Sequence, residues 1–182
     1  FLQIAVASLP GLMAGVGLYL FDAEFLRHLP VIAAASLIFG LILGHSDQTP
    51  GVLHFKDIGW RSALLIGLSQ VLAFIPGSSR SGVTMTAARY LNITRPAAAK
   101  FSMLLSIPLI AAALLVYLLK IVLDDSLDIF MAWDFLVVFL LSFLAAILSI
   151  HWLMNWLQKN SFMPFVIYRI VLAGVIMAVY LY

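Results

Sequence analysis

Hydrophobic residues fall into long blocks along the chain, separated by short polar segments. A helix needs about 20 apolar residues to cross the hydrocarbon core of a bilayer, so the pattern predicts membrane-spanning helices. The predicted spans are Leu2–Leu20, Val31–Gly44, Phe101–Val122, Phe135–Leu153 and Phe162–Tyr182. We therefore expect an all-α polytopic membrane protein with five spanning helices.

One apolar block is interrupted in its middle. Ser62–Ile75 and Val83–Leu91 are each too short to cross alone, and a polar segment lies between them. Irregular backbone at membrane depth is tolerated only where protein or water satisfies its peptide groups. We predict a re-entrant helical hairpin over residues 62–91, and a broken helix that crosses once is the alternative.

Basic residues are unevenly distributed among the predicted loops. With the hairpin re-entrant, three loops share one face and carry Lys56, Arg61, Arg95, Lys100 and Lys159. These loops are Gly44–Arg61, Asn92–Lys100 and Leu153–Phe162. The opposite face holds the Phe21–Pro30 turn, with only Arg27, and the aspartate-rich Leu123–Asp134 loop. The positive-inside rule makes the first face cytoplasmic, and a broken helix would divide the basic loops between the two faces.

Composition supports a membrane protein and excludes other classes. The chain is 64% hydrophobic and 10% charged, with a mean hydropathy of +1.13, whereas soluble domains are about 45–50% apolar and about 25% charged. A net charge of +2 without a basic run excludes a nucleic-acid surface. The absence of cysteine removes disulfides, zinc–thiolate sites and thiol nucleophiles. Because the chain begins at Phe1, we expect a fragment or a processed product.

The polar segment Pro76-Gly77-Ser78-Ser79-Arg80-Ser81-Gly82, followed by Thr84, carries the candidate chemistry. An ionisable side chain at membrane depth indicates a functional site. A guanidinium, several hydroxyls and the free amides of a helix starting near Gly82 are all donors, which favours a phosphate ligand. We predict that the catalytic residues are Arg80, Ser79, Ser81 and Thr84. We predict that the phosphate-binding residues are Gly77, Ser78, Gly82 and Gln70.

Arg80 is permanently charged and is able to bind an oxyanion bidentately. The glycines permit a turn and a close approach of the backbone to a ligand. The serines take a binding role first, since no histidine or carboxylate lies nearby in sequence to activate a nucleophile. No metal site is predicted within the chain, because its four histidines have no ligand spacing. Tyr168 and Arg169 are interpreted as an interfacial belt or a packing contact, and a functional role is the less favoured alternative.

Other interpretations of the polar segment remain. Small residues and hydroxyls also serve helix packing, and Arg80 could extend to a lipid headgroup. The number of hydrogen-bond donors around Arg80 favours a binding site over helix packing and over a contact with a lipid headgroup. For Gln70, a packing role and a ligand-orienting role stay equally open.

Two segments resemble one known family. Residues 66–84 resemble the second signature of the undecaprenyl-diphosphate phosphatases, the BacA-type bacitracin-resistance family, which is Pro-Gly-x-Ser-Arg-Ser-Gly-x-Thr behind an apolar helix containing glutamine. Residues 161–169 resemble its Phe-x-Pro-Phe-x-x-Tyr-Arg pattern. The resemblance covers the whole chain, but only about the carboxyl two-thirds of a typical member.

The resemblance implies hydrolysis of undecaprenyl diphosphate in the bacterial inner membrane, within peptidoglycan synthesis. It implies an inverted-repeat fold in a single membrane domain, with residues 1–44 in the first repeat and residues 62–182 in the second. The family's glutamate-rich hairpin, with its histidine, is absent from Phe1–Tyr182. That hairpin is thought to hold a divalent cation, Mg²⁺ or Ca²⁺, so we expect this chain alone to be inactive.

The expected partners are a polyprenyl diphosphate lipid and the bilayer, and the sequence leaves a homo-oligomer open. The alternative function is a membrane transporter of a polyprenyl phosphate or a polar solute, since hairpins and inverted repeats serve transport equally well. A structural scaffold would leave the polar turn unexplained. The acid-phosphatase-like lipid phosphatases fit less well, because no His-x-x-x-Asp follows the serine–arginine motif.

Overall fold

The computed structural model describes residues 2–20, 24–123 and 133–182. Its α-helices are α1 Leu2–Leu20, α2 Leu29–Ser46, α3 Trp60–Ser69, α4 Arg80–Tyr90, α5 Arg95–Leu123, α6 Trp133–Trp156 and α7 Met163–Leu181. Short 3₁₀ segments cover Glu24–Arg27, Phe55–Asp57 and Gln70–Phe74. The predicted aspartate-rich loop lies outside the described residues from 124 to 132, as does the start of the Phe21–Pro30 turn.

Four of these helices, α2, α5, α6 and α7, are long and apolar enough to cross a membrane. The first predicted span coincides with α1, which is also apolar, and its described side chains extend to Gly17. The expectation of an all-α polytopic membrane protein is confirmed. Helix α5 starts at Arg95, ahead of the apolar span Phe101–Val122. A helix can begin among polar residues because Pro96 in the first turn needs no amide partner.

The interrupted block forms a hairpin in which α3 and α4 pack against each other. The amides of Val52 and Leu53 donate to the Asn92 carbonyl at 2.8 and 2.9 Å, and the Thr94 amide donates to the Leu53 carbonyl at 2.9 Å. The chain that leaves before α3 therefore returns after α4 to the same end of the molecule. This is the geometry that a re-entrant hairpin requires, whereas a broken spanning helix would separate the two ends.

The carboxylate of Asp47 joins three chain segments at the base of the hairpin. It accepts hydrogen bonds from Arg95 Nε at 2.6 Å and from the Phe162 amide at 2.9 Å. Arg89 Nε lies 3.7 Å from Asp47 Oδ1, and its guanidinium is almost fully buried. The end of α2 and the starts of α5 and α7 thus meet at one point. The three basic loops consequently share one end of the molecule, as the charge pattern predicts.

Helices α2 and α7 form the most extensive interface between described helices. A Cβ added at Gly40 would lie 3.2 Å from Arg169 Cβ, and one added at Gly44 would lie 3.3 Å from Val166 Cγ1. Small residues four positions apart let two helix backbones approach closely. The close approach brings Arg169 of α7 across to the hairpin.

Helix α6 contrasts with this interface, because none of its residues is buried. It makes a light contact with α5, and Leu153, Met154 and Trp156 near its end pack against the buried cluster of Leu43, Ala99, Leu157, Phe162 and Val166. Its side chains are mostly apolar, and Asp134, His151 and Asn155 lie near its ends. Such a surface matches the hydrocarbon of a bilayer.

Replacing Asp47 with asparagine should destabilise the protein strongly. The change leaves Arg89 buried without a carboxylate, and breaking a buried pair in this way typically costs about 3–5 kcal/mol. The matched control is Asp57→Asn, which affects an exposed carboxylate that accepts only the His54 amide. Denaturant unfolding in detergent measures both variants, and equal losses would contradict the assigned role of Asp47.

The hairpin also makes a prediction about membrane topology. Single cysteines introduced at His54 and Arg95 should react with an impermeant reagent from the same side of the membrane, because the two segments are hydrogen-bonded neighbours. A cysteine at Asp134, at the opposite end of the spans, should react from the other side. Labelling of positions 54 and 95 from opposite sides would show that residues 62–91 cross the bilayer.

Candidate functional site

The tip of the hairpin is a tight turn with two residues at positive φ. Gly77 has φ +91°, and a side chain there would collide with the Ile32 carbonyl of α2. Ser79 has φ 65°, an unusual conformation for a non-glycine residue that often marks a functional segment. The Ser79 hydroxyl caps α4 by accepting a hydrogen bond from the Gly82 amide at 3.3 Å. The sequence thus ends one half-helix, reverses direction and starts the next within a few residues.

Arg169 of α7 satisfies the carbonyl groups of this turn. Its Nη2 donates to the Gly77 carbonyl at 2.6 Å and to the Ser78 carbonyl at 2.7 Å. The side chain is 7% exposed. The sequence-based interpretation of Arg169 as a belt or packing residue misses this contact with the polar turn. The sequence does contain a signal for a functional role of Arg169, because it is a charged residue inside an apolar span. The same criterion singles out Arg80.

The other terminal nitrogen of Arg169 packs against the start of α4. Within the described part of the chain, Nη1 is buried and has no hydrogen-bond partner. A Cβ placed on Gly82 would lie 2.7 Å from Arg169 Nη1 and 3.2 Å from Ser79 Oγ. The hydroxyls of Ser79 and Ser81 are 3.5 Å apart. Donors from α7 and from the start of α4 therefore border one small space, and the absence of a side chain at residue 82 lets Arg169 Nη1 pack closely against α4.

This space lies in a half-open cavity of about 270 Å³. Its polar lining comes from the hairpin tip and α7, mainly Gly77, Ser79, Ser81, Gly82 and Arg169. The rest of the lining is largely apolar and comprises Ile32, Leu43, Met85, Leu153, Phe162, Phe165, Leu172 and Ile176, beside Ser36 and Tyr168. This arrangement suits a ligand with an anionic group bound at the end of the apolar groove. Backbone amides and the positive end of the α4 dipole add to the side-chain donors.

Four predicted site residues, Gly77, Ser79, Ser81 and Gly82, are brought together at this cavity. The other four do not line it. Arg80 starts α4 beside them, but its half-buried side chain is not part of this lining.

Thr84, Ser78 and Gln70 lie inside the packing around the hairpin. The Thr84 hydroxyl donates to the Arg80 carbonyl at 3.0 Å and shares a 2.6 Å hydrogen bond with Ser102. The Ser78 hydroxyl and the Gln70 amide are buried without hydrogen-bond partners among the described residues, and Gln70 packs against Gly11 of α1. The functional roles assigned to Arg80, Thr84, Ser78 and Gln70 stay predictions.

The donor set fits an anion and does not fit a divalent cation. Among the described residues, no aspartate, glutamate or histidine lines the cavity. Across residues 2–20, 24–123 and 133–182, no group of three or more metal-ligating side chains is present. Mg²⁺ and Ca²⁺ require carboxylate or carbonyl oxygens, whereas this site presents hydrogen-bond donors.

The fold is helical and polytopic and contains a re-entrant hairpin, and hydrogen-bond donors lie at the end of an apolar groove. These features define an integral membrane protein whose site suits an anionic amphiphile. Residues 1–175 match the family described as bacitracin resistance protein BacA, and the chain belongs to that family.

Curated relatives agree over almost the whole chain. An undecaprenyl-diphosphatase of Marinobacter nauticus is 41% identical over 178 residues, which cover 97% of this chain and 66% of the relative. The undecaprenyl-diphosphatase of Idiomarina loihiensis is 41% identical over 175 residues, covering 95% of this chain and 65% of the relative. The undecaprenyl-diphosphatase of Hahella chejuensis is 42% identical over 179 residues, which cover 97% of this chain and 66% of the relative. The chain thus spans about two thirds of the length of these relatives.

The candidate anion site beside Gly82 can be tested with a small substitution. Gly82→Ala should weaken binding of dodecyl phosphate by about tenfold or more, because the new methyl group would lie 2.7 Å from Arg169 Nη1 and 3.2 Å from Ser79 Oγ and would displace these donors. Gly174→Ala on α7 is the matched control, since no atom lies within 4 Å of its added Cβ. Calorimetric titration in detergent measures binding, and thermal midpoints check folding. Equal affinities for the two variants would disprove an anion site at this position.

Proposed function

We propose that the protein hydrolyses undecaprenyl diphosphate to undecaprenyl phosphate and so recycles the lipid carrier of cell-wall synthesis in the bacterial inner membrane. The observation that carries the proposal is that the donors of Arg169, Ser79 and Ser81 line the polar end of an otherwise apolar cavity. The names of the three relatives support this substrate and reaction.

The diphosphate would lie at the polar end of the cavity. Arg169, Ser79 and Ser81 would donate to its oxygens, together with the unsatisfied amides at the start of α4. Phosphoryl transfer spreads negative charge over the transferred oxygens, so donors that are already in position stabilise the transition state without reorganising. Arg80 at the start of α4 is proposed as a second cation for the same group.

The apolar part of the cavity would take the start of the polyprenyl chain. At about 270 Å³ it is slightly smaller than the ~300–1,000 Å³ of sites that enclose a drug-sized ligand. The head group and the first part of the chain would occupy it, while the remaining chain would lie in the bilayer. The apolar, exposed outer faces of α2 and α7 are compatible with such an exit.

Hydrolysis adds water across the P–O–P linkage, releases inorganic phosphate and leaves one phosphate on the lipid. The cavity supplies binding and charge stabilisation, but no carboxylate or imidazole for acid–base chemistry. We propose that the acid–base groups, and the ligands of a divalent cation such as Mg²⁺ or Ca²⁺, come from residues outside the described part of the chain. The cation would polarise phosphoryl oxygens.

Phosphate release from a polyprenyl diphosphate by the complete protein tests the proposal. Ser79→Ala and Arg169→Lys should each lower the rate by about 10²-fold, the usual effect of losing one donor at a developing oxyanion. Lysine keeps the charge of Arg169 but lacks the planar fork that serves the turn and the ligand together. Gly174→Ala should retain the full rate.

Two results would overturn the proposal. The first is an unchanged rate in both Ser79→Ala and Arg169→Lys. The second is transfer of the lipid across the membrane by the complete protein without phosphate release, which would favour the transporter alternative. The chain Phe1–Tyr182 assayed alone should release phosphate only at background level, because the cavity holds no acid–base group.

A further inference from the structure

A second cavity lies at the base of the hairpin and shares no lining residue with the first. It measures about 650 Å³. Its walls come from the segment before α3, the end of α4, the start of α5 and the end of α6. Four lining residues are permanent cations, namely Lys56, Arg89, Arg95 and Lys100. The mechanism proposed above uses none of them.

The charges of this basal cavity are only partly neutralised. The ion pairs recorded among the described residues join Asp47 to Arg89 and to Arg95. Neither Lys56 nor Lys100 pairs with a carboxylate within that part of the chain, and both are exposed. The cavity therefore carries a surplus of positive charge.

The walls of the basal cavity are fixed by hydrogen bonds. Arg89 donates to the Ile93 carbonyl at 2.7 Å and also to the carbonyls of Asp47 and Thr49. Lys100 Nζ lies 4.9 Å from the centre of the Phe55 ring, within the range of a cation–π contact. The start of α5 contributes free amides and the positive end of a long helix dipole. Arg89 and Lys100 are thus held at the cavity before any ligand binds.

The position of the basal cavity corresponds to the membrane interface. It lies where the apolar helices α5 and α6 meet the polar loops, and Met154 and Leu157 supply an apolar wall. Trp152 and Trp156 of α6 pack against each other at this end, 5.5 Å between ring centroids. Tryptophan is enriched at the boundary between hydrocarbon and headgroups. A phosphate in the cavity would have apolar helix surface beside it for acyl chains.

We propose that the basal cavity binds a phosphate group and that an anionic phospholipid of the surrounding membrane presents it. Basic pockets between transmembrane helices are suited to such headgroups, and each lysine or arginine near an anionic surface strengthens binding about fivefold. The apolar wall and the exposed faces of α5 and α6 favour a lipid over a soluble anion.

Native mass spectrometry of the complete protein, in micelles doped equally with phosphatidylglycerol and phosphatidylcholine, tests the proposal. The protein should retain phosphatidylglycerol preferentially. The double variant K56Q and K100Q should bind it about 30-fold more weakly, which corresponds to two lost cations. The matched control is R61Q with K159Q, which removes two exposed cations that do not line the cavity. The control should keep the preference.

Three outcomes would overturn the proposal. One is equal retention of the two lipids, and another is the same loss in the control as in the cavity variant. The third is stronger binding of inorganic phosphate without lipid, which would replace the lipid with a soluble anion. If the double variant loses its thermal transition, the single variant K100Q decides, with an expected weakening of about fivefold.

Discussion

The hairpin turn depends on a satisfied pair of carbonyl groups. A chain that reverses within a bilayer frees peptide groups that hydrocarbon cannot satisfy. Arg169 donates to the carbonyls of Gly77 and Ser78, and so α7 must lie within reach of the hairpin tip. The glycines of α2 allow that approach. Turn, helix interface and candidate site are therefore consequences of one hydrogen-bonding requirement.

The base of the hairpin is held by a second set of contacts. Arg89 fills the space between the hairpin end and the residues after α2, and Asp47 connects both to α5 and α7. Restraint at the tip and at the base limits how far α4 can shift. Donors fixed in this way need little reorganisation when charge develops on a ligand, which is the condition for efficient electrostatic stabilisation.

The two terminal nitrogens of Arg169 have different roles. One nitrogen holds the turn, and the other packs against Gly82 at the polar end of the cavity. Only a planar guanidinium offers two donors in fixed relative orientation, so a side chain with a single ammonium cannot replace it. The part of the site that comes from α7 was not predicted as functional, because Tyr168 and Arg169 lie some 90 residues beyond the polar turn and share no local pattern with it.

The sequence alone determined the helical membrane class, the hairpin and the turn containing Gly77, Ser79, Ser81 and Gly82, because hydropathy and turn chemistry are local properties of neighbouring residues. Only the tertiary structure decided which side chains meet. It brought Arg169 into the cavity, and it directed Thr84 and Gln70 into the packing around the hairpin. The direction of a side chain on a short helix depends on which of its faces the other helices cover, and that is set by contacts between segments far apart in sequence.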